Sequence, residues 1–121
     1  MEIESTTSQL ASLDVDGWQL ESADVRHAAT QGKFWIPDIE DRASLNLGQD
    51  AKLLFQILVV AEDDSTELAV ERMWVEVTGR VGGLYVGELR NQPISVDPGQ
   101  GIDFGMIVRF RPEHVIDIGV S

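Results

Sequence analysis

From Ala51 to Ala61 the chain reads AKLLFQILVVA, and between Leu53 and Val60 only Gln56 breaks the apolar run. The run is far too short to cross a membrane as a helix and has the length of a strand. A strand that is apolar on both faces must lie inside a sheet with material packed above and below it, so this segment predicts a central strand buried on both faces or nearly so. The turn Asn46-Leu47-Gly48-Gln49-Asp50 precedes it and the acidic stretch Glu62-Asp63-Asp64-Ser65-Thr66-Glu67 follows it as a solvent loop, which sets its ends. The rest of the chain must supply its neighbours.

Beyond the acidic loop, Met73, Val75 and Val77 alternate with Trp74, Glu76 and Thr78, the period-2 pattern of a strand with one buried face. Gly79-Arg80-Val81-Gly82-Gly83 then gives a tight reversal, because Gly82 and Gly83 tolerate positive φ, and Leu84 to Leu89 returns as the partner strand. Asn91-Gln92-Pro93 and Asp97-Pro98-Gly99-Gln100-Gly101 are turns that flank at most a short strand at Ile94 to Val96. Met106 to Phe110 reads as another strand, Arg111-Pro112-Glu113 opens a turn, and Val115 to Ile118 closes the sheet.

Upstream, the aromatic run Phe34-Trp35-Ile36 stops at Pro37. After it, early acids and the spacing of Ile39, Ala43 and Leu45 predict one short helix over Asp38 to Leu45, with Gly48 free to adopt the left-handed conformation at its end. Trp18 to Leu20 fits a short strand, and Ala23 to Ala29 is compatible with a short helix begun by Asp24. Residues 1–16 are polar and read as a flexible acidic arm, which leaves 17–121 as a single globular domain. The expected class is α+β: a small, strongly bent antiparallel sheet or partly open SH3-like barrel with one short helix before the main strands.

The chain has 121 residues and no cysteine, so disulfide staples, thiolate metal sites and cysteine nucleophiles are excluded. Against 21 Asp plus Glu stand 9 Lys plus Arg, a formal net charge of −12, which opposes binding of nucleic-acid phosphates or anionic membranes and makes a basic or neutral protein the easier partner. Met1 to Thr7 carries acids where a signal peptide carries lysine or arginine, so a soluble, cytoplasmic protein is expected.

Catalytic constellations are weakly represented. No serine has the flanking glycines of a nucleophile elbow. His27 and His114 are too few for a three-histidine zinc site, although two histidines with a carboxylate remain arithmetically able to hold a metal for hydrolysis. Gly99, Gly101 and Gly105 precede a strand rather than a helix, so no helix N-terminus is there to face a pyrophosphate. Neither Asp14-Val15-Asp16-Gly17 nor Glu62-Asp63-Asp64-Ser65 completes a calcium loop. No catalytic residue, cofactor or metal ligand is assigned. Residue types enriched at protein interfaces do recur: Trp35, Trp74 and Tyr85, with Arg72, Arg90 and Asn91 close to them in sequence. These six form the expected protein-binding set, and the alternation around Met73 places Trp74 on the face opposite the core.

Five segments, Phe34-Trp35-Ile36-Pro37, Leu47 to Phe55, Glu71 to Thr78, Gly87 to Pro93 and Phe110 to Asp117, together resemble a family of small bacterial domains of unknown function. Some relatives in that family are grouped with immunity proteins of polymorphic toxin systems. The resemblance spans Trp18 to Ile118 and departs at Gly101-Ile102-Asp103-Phe104-Gly105, where the family has a Gly-Asp turn. It implies a binding or inhibitory module and brings no catalytic residues with it. The expectation is therefore a non-catalytic protein-binding domain of the immunity-inhibitor type. The alternatives are a metal-assisted hydrolase built on His27 or His114, and an acidic mimic of nucleic acid.

Overall fold

In a computed structural model, which describes residues 10–119, the chain forms an α+β domain around a small, curled antiparallel sheet that makes half a barrel. The elements are α1 (Leu13–Asp16), β1 (Trp18–Leu20), α2 (Ala23–Ala29), α3 (Ile39–Arg42), β2 (Asp50–Val60), β3 (Thr66–Val81), β4 (Leu84–Leu89), β5 (Ile107–Phe110), a 3-10 turn (Pro112–His114) and β6 (Val115–Ile118). The strands run in the order β1-β2-β3-β4-β5, and β6 also pairs with β2. Among the described residues no helix is long and apolar enough to cross a membrane.

The apolar run is indeed the middle of the sheet. All eleven residues of β2 pair with β3, in unbroken register from Asp50↔Glu76 to Val60↔Thr66. The other edge of β2 is divided: β1 takes Phe55 to Ile57, and β6 takes Ala51 to Leu53. The alternation read at Met73, Val75 and Val77 is correct, since all three are buried. The strand carrying them begins earlier than expected, at Thr66, so the acidic loop is reduced to the tight turn of a long β2–β3 hairpin. Gly82 and Gly83 adopt positive φ in the second hairpin turn. Gly87 has a different task. A Cβ there would lie 2.5 Å from the carbonyl oxygen of Glu76, so its absence lets β4 press against β3 near the register shift between Val77 and Gly79.

The core fills the concave side of the half-barrel. Phe55, Leu53, Met73, Val75, Leu89, Val108 and Phe110 meet there, with Trp18 stacked 5.5 Å from Phe55 and Tyr85 5.1 Å from Phe110 between ring centroids. The loop from Asn91 to Met106 closes over this side and sends Ile102 into the core. Ile94 to Val96 belongs to that loop and forms no strand: Glu71 accepts the backbone N–H groups of Ile94 and Ser95, which a ladder would otherwise claim. Between β5 and α1 the half-barrel stays open on a cavity of about 530 Å³, lined in part by Leu10, Trp18 and Arg109.

A second, smaller apolar cluster lies on the convex face, where Ala23 and Ile116 cover Leu54 together with Phe34 and Ile36. It is roofed by the segment from α2 to Pro37. Helix α2 is capped by the Ser22 hydroxyl, which accepts the N–H of Val25, and not by Asp24. The helix expected over Asp38 to Leu45 is reduced to Ile39–Arg42, and its buried side chain is Arg42 rather than Ile39. Residues 1–9 of the expected arm lie outside the described residues, whereas Leu13–Asp16 forms one helical turn and Ala11 packs on the main core.

Candidate functional site

The segment from Thr30 to Asn46 carries Trp35 and builds a cleft beside the sheet. Its geometry starts at a reversal through Gln31 and Gly32, both with positive φ. The Thr30 hydroxyl accepts the N–H of Phe34, and His27 donates its Nδ1–H to the carbonyl of Phe34 at 2.7 Å, so the chain is returned to the sheet at a set position. From there it runs extended, and extended backbone alternates its side chains. Phe34 and Ile36 turn inward onto Leu54, and Trp35, between them, is turned outward with 67% of its surface exposed.

Buried Arg42 fixes the far wall. Its guanidinium donates to the carbonyls of Pro37 and Pro112 and pairs with Asp24 at 3.1 Å, tying the Pro37 bend, the 3-10 turn and α2 together. The carbonyl of Arg42 in turn accepts the hydroxyl of Tyr85 at 2.9 Å, while that hydroxyl accepts the N–H of Leu45 at 3.1 Å. A buried arginine satisfied in this way holds a loop against a sheet without a helix to do so.

The resulting cleft has a volume of about 600 Å³ and lies between this segment and the end of β6. Trp35 stands at its rim, and Asp38, Asp41 and Asp117 line it. Among the described residues none of the three carboxylates is in an ion pair. Nor do they converge as a metal site would require, because no group of three or more His, Asp or Glu among the described residues could hold an ion. Carboxylates spread along a wall beside an exposed indole face suit a cationic side chain, which the ring attracts through its negative face and the acids through charge. Asp117 also faces Lys52 across the β2–β6 pair, and Lys52 faces Trp74 across the β2–β3 pair. The cleft thus continues onto the convex face as the row Asp117, Lys52, Trp74.

Of the six residues expected to bind a protein, Trp35 lies at the cleft and Trp74 at the end of that row. Trp74 is half-buried under the Lys52 ammonium, 5.2 Å from its ring, on the face opposite the core as the alternation implies. Tyr85 is a correction. It is fully buried, its ring packs on Phe110 and its hydroxyl is spent on Arg42 and Leu45, so it cannot meet a partner. Asn91 has an internal task, for its side-chain oxygen accepts the Trp74 N–H at 2.6 Å where β4 has left the edge of β3. Arg72 stacks on Phe34, and Arg90 stacks on Phe104 beside Glu76 and Glu88. The expected set is therefore dispersed rather than gathered in one patch.

Both histidines serve the framework. His114 accepts the N–H of Arg111 on Nδ1 at 2.9 Å, and burial, seconded by the charge of Arg111, pushes its pKa down to about 4. It is a neutral, structural imidazole at pH 7. Glu21 is held below the ordinary carboxylate range chiefly by its hydrogen bond from Arg26. Burial alone would raise Glu71, yet its bonds from Ser95 and the backbone of Ile94 outweigh this and lower it. Sequence reasoning missed Asp38, Asp41 and Asp117, since acids at the start of a helix read as dipole partners and Asp117 is distant in the chain.

What fold and site define is an α+β half-barrel with an acidic, tryptophan-rimmed cleft on its flank. Comparison of the chain with protein-family models, curated proteins and solved structures finds no match.

Proposed function

We propose that this chain is a non-catalytic protein-binding module that takes a lysine or arginine side chain of a basic partner protein into the cleft at Trp35, as an immunity-type inhibitor would. The observation that carries the reading is the exposure of the Trp35 indole beside three carboxylates that, among the described residues, are in no ion pair. A large apolar side chain held in water has no packing role to explain it, and aromatic anchors ringed by charge are a recurring form of interface hot spot. The net charge of −12 supports the same reading by speeding encounter with a basic surface. The resemblance of five segments to a family that includes toxin-immunity proteins supports it as well.

The test is a titration of the protein with an arginine-containing basic peptide at low salt, followed through the indole N–H resonance of Trp35. The expected result is a salt-sensitive shift of that resonance, with affinity reduced at least about tenfold in Trp35→Ala and in Asp38→Asn/Asp41→Asn. Equal affinity of wild type and Trp35→Ala for the peptide overturns the proposal.

A further inference from the structure

We propose that the free edge of β3 from Thr66 to Val70 takes an added strand from a basic partner protein, with apolar residues on the convex side and Lys or Arg on the concave side. Three observations support it. The first is an open ladder. Trp74 directs its peptide groups away from β2, donating to Asn91 and accepting from Arg90. Alternation along the unbroken register sends the N–H and C=O groups of Thr66, Leu68 and Val70 the same way. Pairing with β4 begins only at Val75, and none of these groups has a backbone partner among the described residues. The loop after β4 meets β3 at Trp74, through Asn91, and at Glu71, which accepts the N–H groups of Ile94 and Ser95. Thr66 to Val70 lies beyond both contacts, and an unpaired edge of this kind is a template for a further strand.

The second observation is the contrast between the two faces beside that edge. Leu58, Val60, Leu68 and Val70 are 38%, 66%, 50% and 47% exposed and share the convex side of the hairpin. On the concave side the edge carries Glu67 and Ala69. An added strand has its own alternation, so its residues on the convex side extend the apolar band and those between them come level with Glu67. Ala69 is small enough for a long cationic side chain to reach past it to that carboxylate.

Charge selects the occupant. From Gln56 to Glu71 the hairpin holds five acids, Glu62, Asp63, Asp64, Glu67 and Glu71, and no Lys or Arg. Among the described residues none of the five is in an ion pair. A second copy would bring the same acids to the same edge, whereas a cationic strand is drawn to it. The edge lies at the opposite end of β2 from Asp117 of the Trp35 cleft, which pairs with Lys52, and the inference does not rest on that cleft.

The test is amide hydrogen exchange at low salt with a short capped peptide of alternating lysine and valine. In the free protein the amides of Leu68 and Val70 should exchange fast, while those of Ala69 and Glu71, turned toward β2, are protected. Saturating peptide should slow Leu68 and Val70 at least about tenfold. Val70→Pro removes an N–H that β2 does not use, so peptide affinity should fall at least about tenfold with an unchanged circular dichroism spectrum. Glu67→Lys, at an exposed position, should weaken the peptide to a similar degree and reduce the salt dependence. Trp35→Ala should leave the affinity as it is. Exchange at Leu68 and Val70 that the peptide does not slow overturns the proposal. So does slowing that appears without peptide as the protein is concentrated, which gives the edge to a second copy. Equal affinity for a peptide of the same composition with its lysines and valines in separate blocks, or full affinity in Val70→Pro, overturns strand addition. Affinity lost in Trp35→Ala assigns the peptide to the cleft, which overturns this inference and leaves the reading of the cleft intact.

Discussion

The convex face of the β2–β3 hairpin has two halves that are alike in residue type and opposite in fate. Near its base, Leu54 is sealed beneath Phe34, Ile36 and Ile116. Four residues and six residues further along the same strand, Leu58 and Val60 stand in solvent beside Leu68 and Val70. Strand hydrophobicity does not decide between them. What decides is whether another part of the chain crosses the sheet at that point, and the segment returned by the Thr30 and His27 hydrogen bonds crosses only the base.

Substitutions that separate the halves test this contrast. Leu54→Ala removes a side chain with no room to relax and should cost about 2–5 kcal/mol in urea unfolding. If the cost is below about 1 kcal/mol, the roof is not packed as described.

Next in size is a pH effect at the roof's support, the 3-10 turn. A neutral His114 in the fold with a pKa of about 4, against an ordinary 6.5 when unfolded, means the unfolded chain binds the proton first as pH falls. Its stability contribution is complete above pH 6.5 and is lost progressively toward pH 4, by about 3 kcal/mol in all. His114→Gln should flatten the unfolding free energy across that window, and an unaltered slope contradicts the assignment.

Tyr85→Phe keeps the ring and strands the N–H of Leu45, so a smaller loss of about 1–3 kcal/mol is expected in the same unfolding measurement. On the bare half, Leu58→Ala measured in dilute solution should cost less than about 1 kcal/mol. A loss matching that of Leu54→Ala would erase the distinction between the halves.

The same contrast explains what could be read from residues alone. The α+β class, the curled sheet, the Met73 to Val77 alternation and the Gly82-Gly83 reversal were legible because period and turn chemistry are local. The run from Leu53 to Val60 predicts burial on both faces, which holds at Leu54 and fails at Leu58 and Val60, because the roof is a tertiary event. Tyr85 misleads for a different reason. Its neighbours Leu84 and Val86 are also apolar, so no alternation marks which side it takes. The cleft was half legible: Trp35 stands out by type, but its outward turn follows from the burial of Phe34 and Ile36, and Asp117 reaches the site only through the β2–β6 pairing.

That pairing has a kinetic consequence. β1 and β6 both run antiparallel to β2 and occupy successive stretches of one edge, so they act as a single strand interrupted by nearly the whole domain. The β2–β3 hairpin can form from neighbours alone, while its other edge must wait for segments from opposite ends of the sequence to arrive in line. Closing such distant pairs carries the chain-entropy cost that slows folding in proteins of high contact order. Refolding should therefore proceed from the hairpin outward, with the docking of Val115 to Ile118 as the late step that sets the rate.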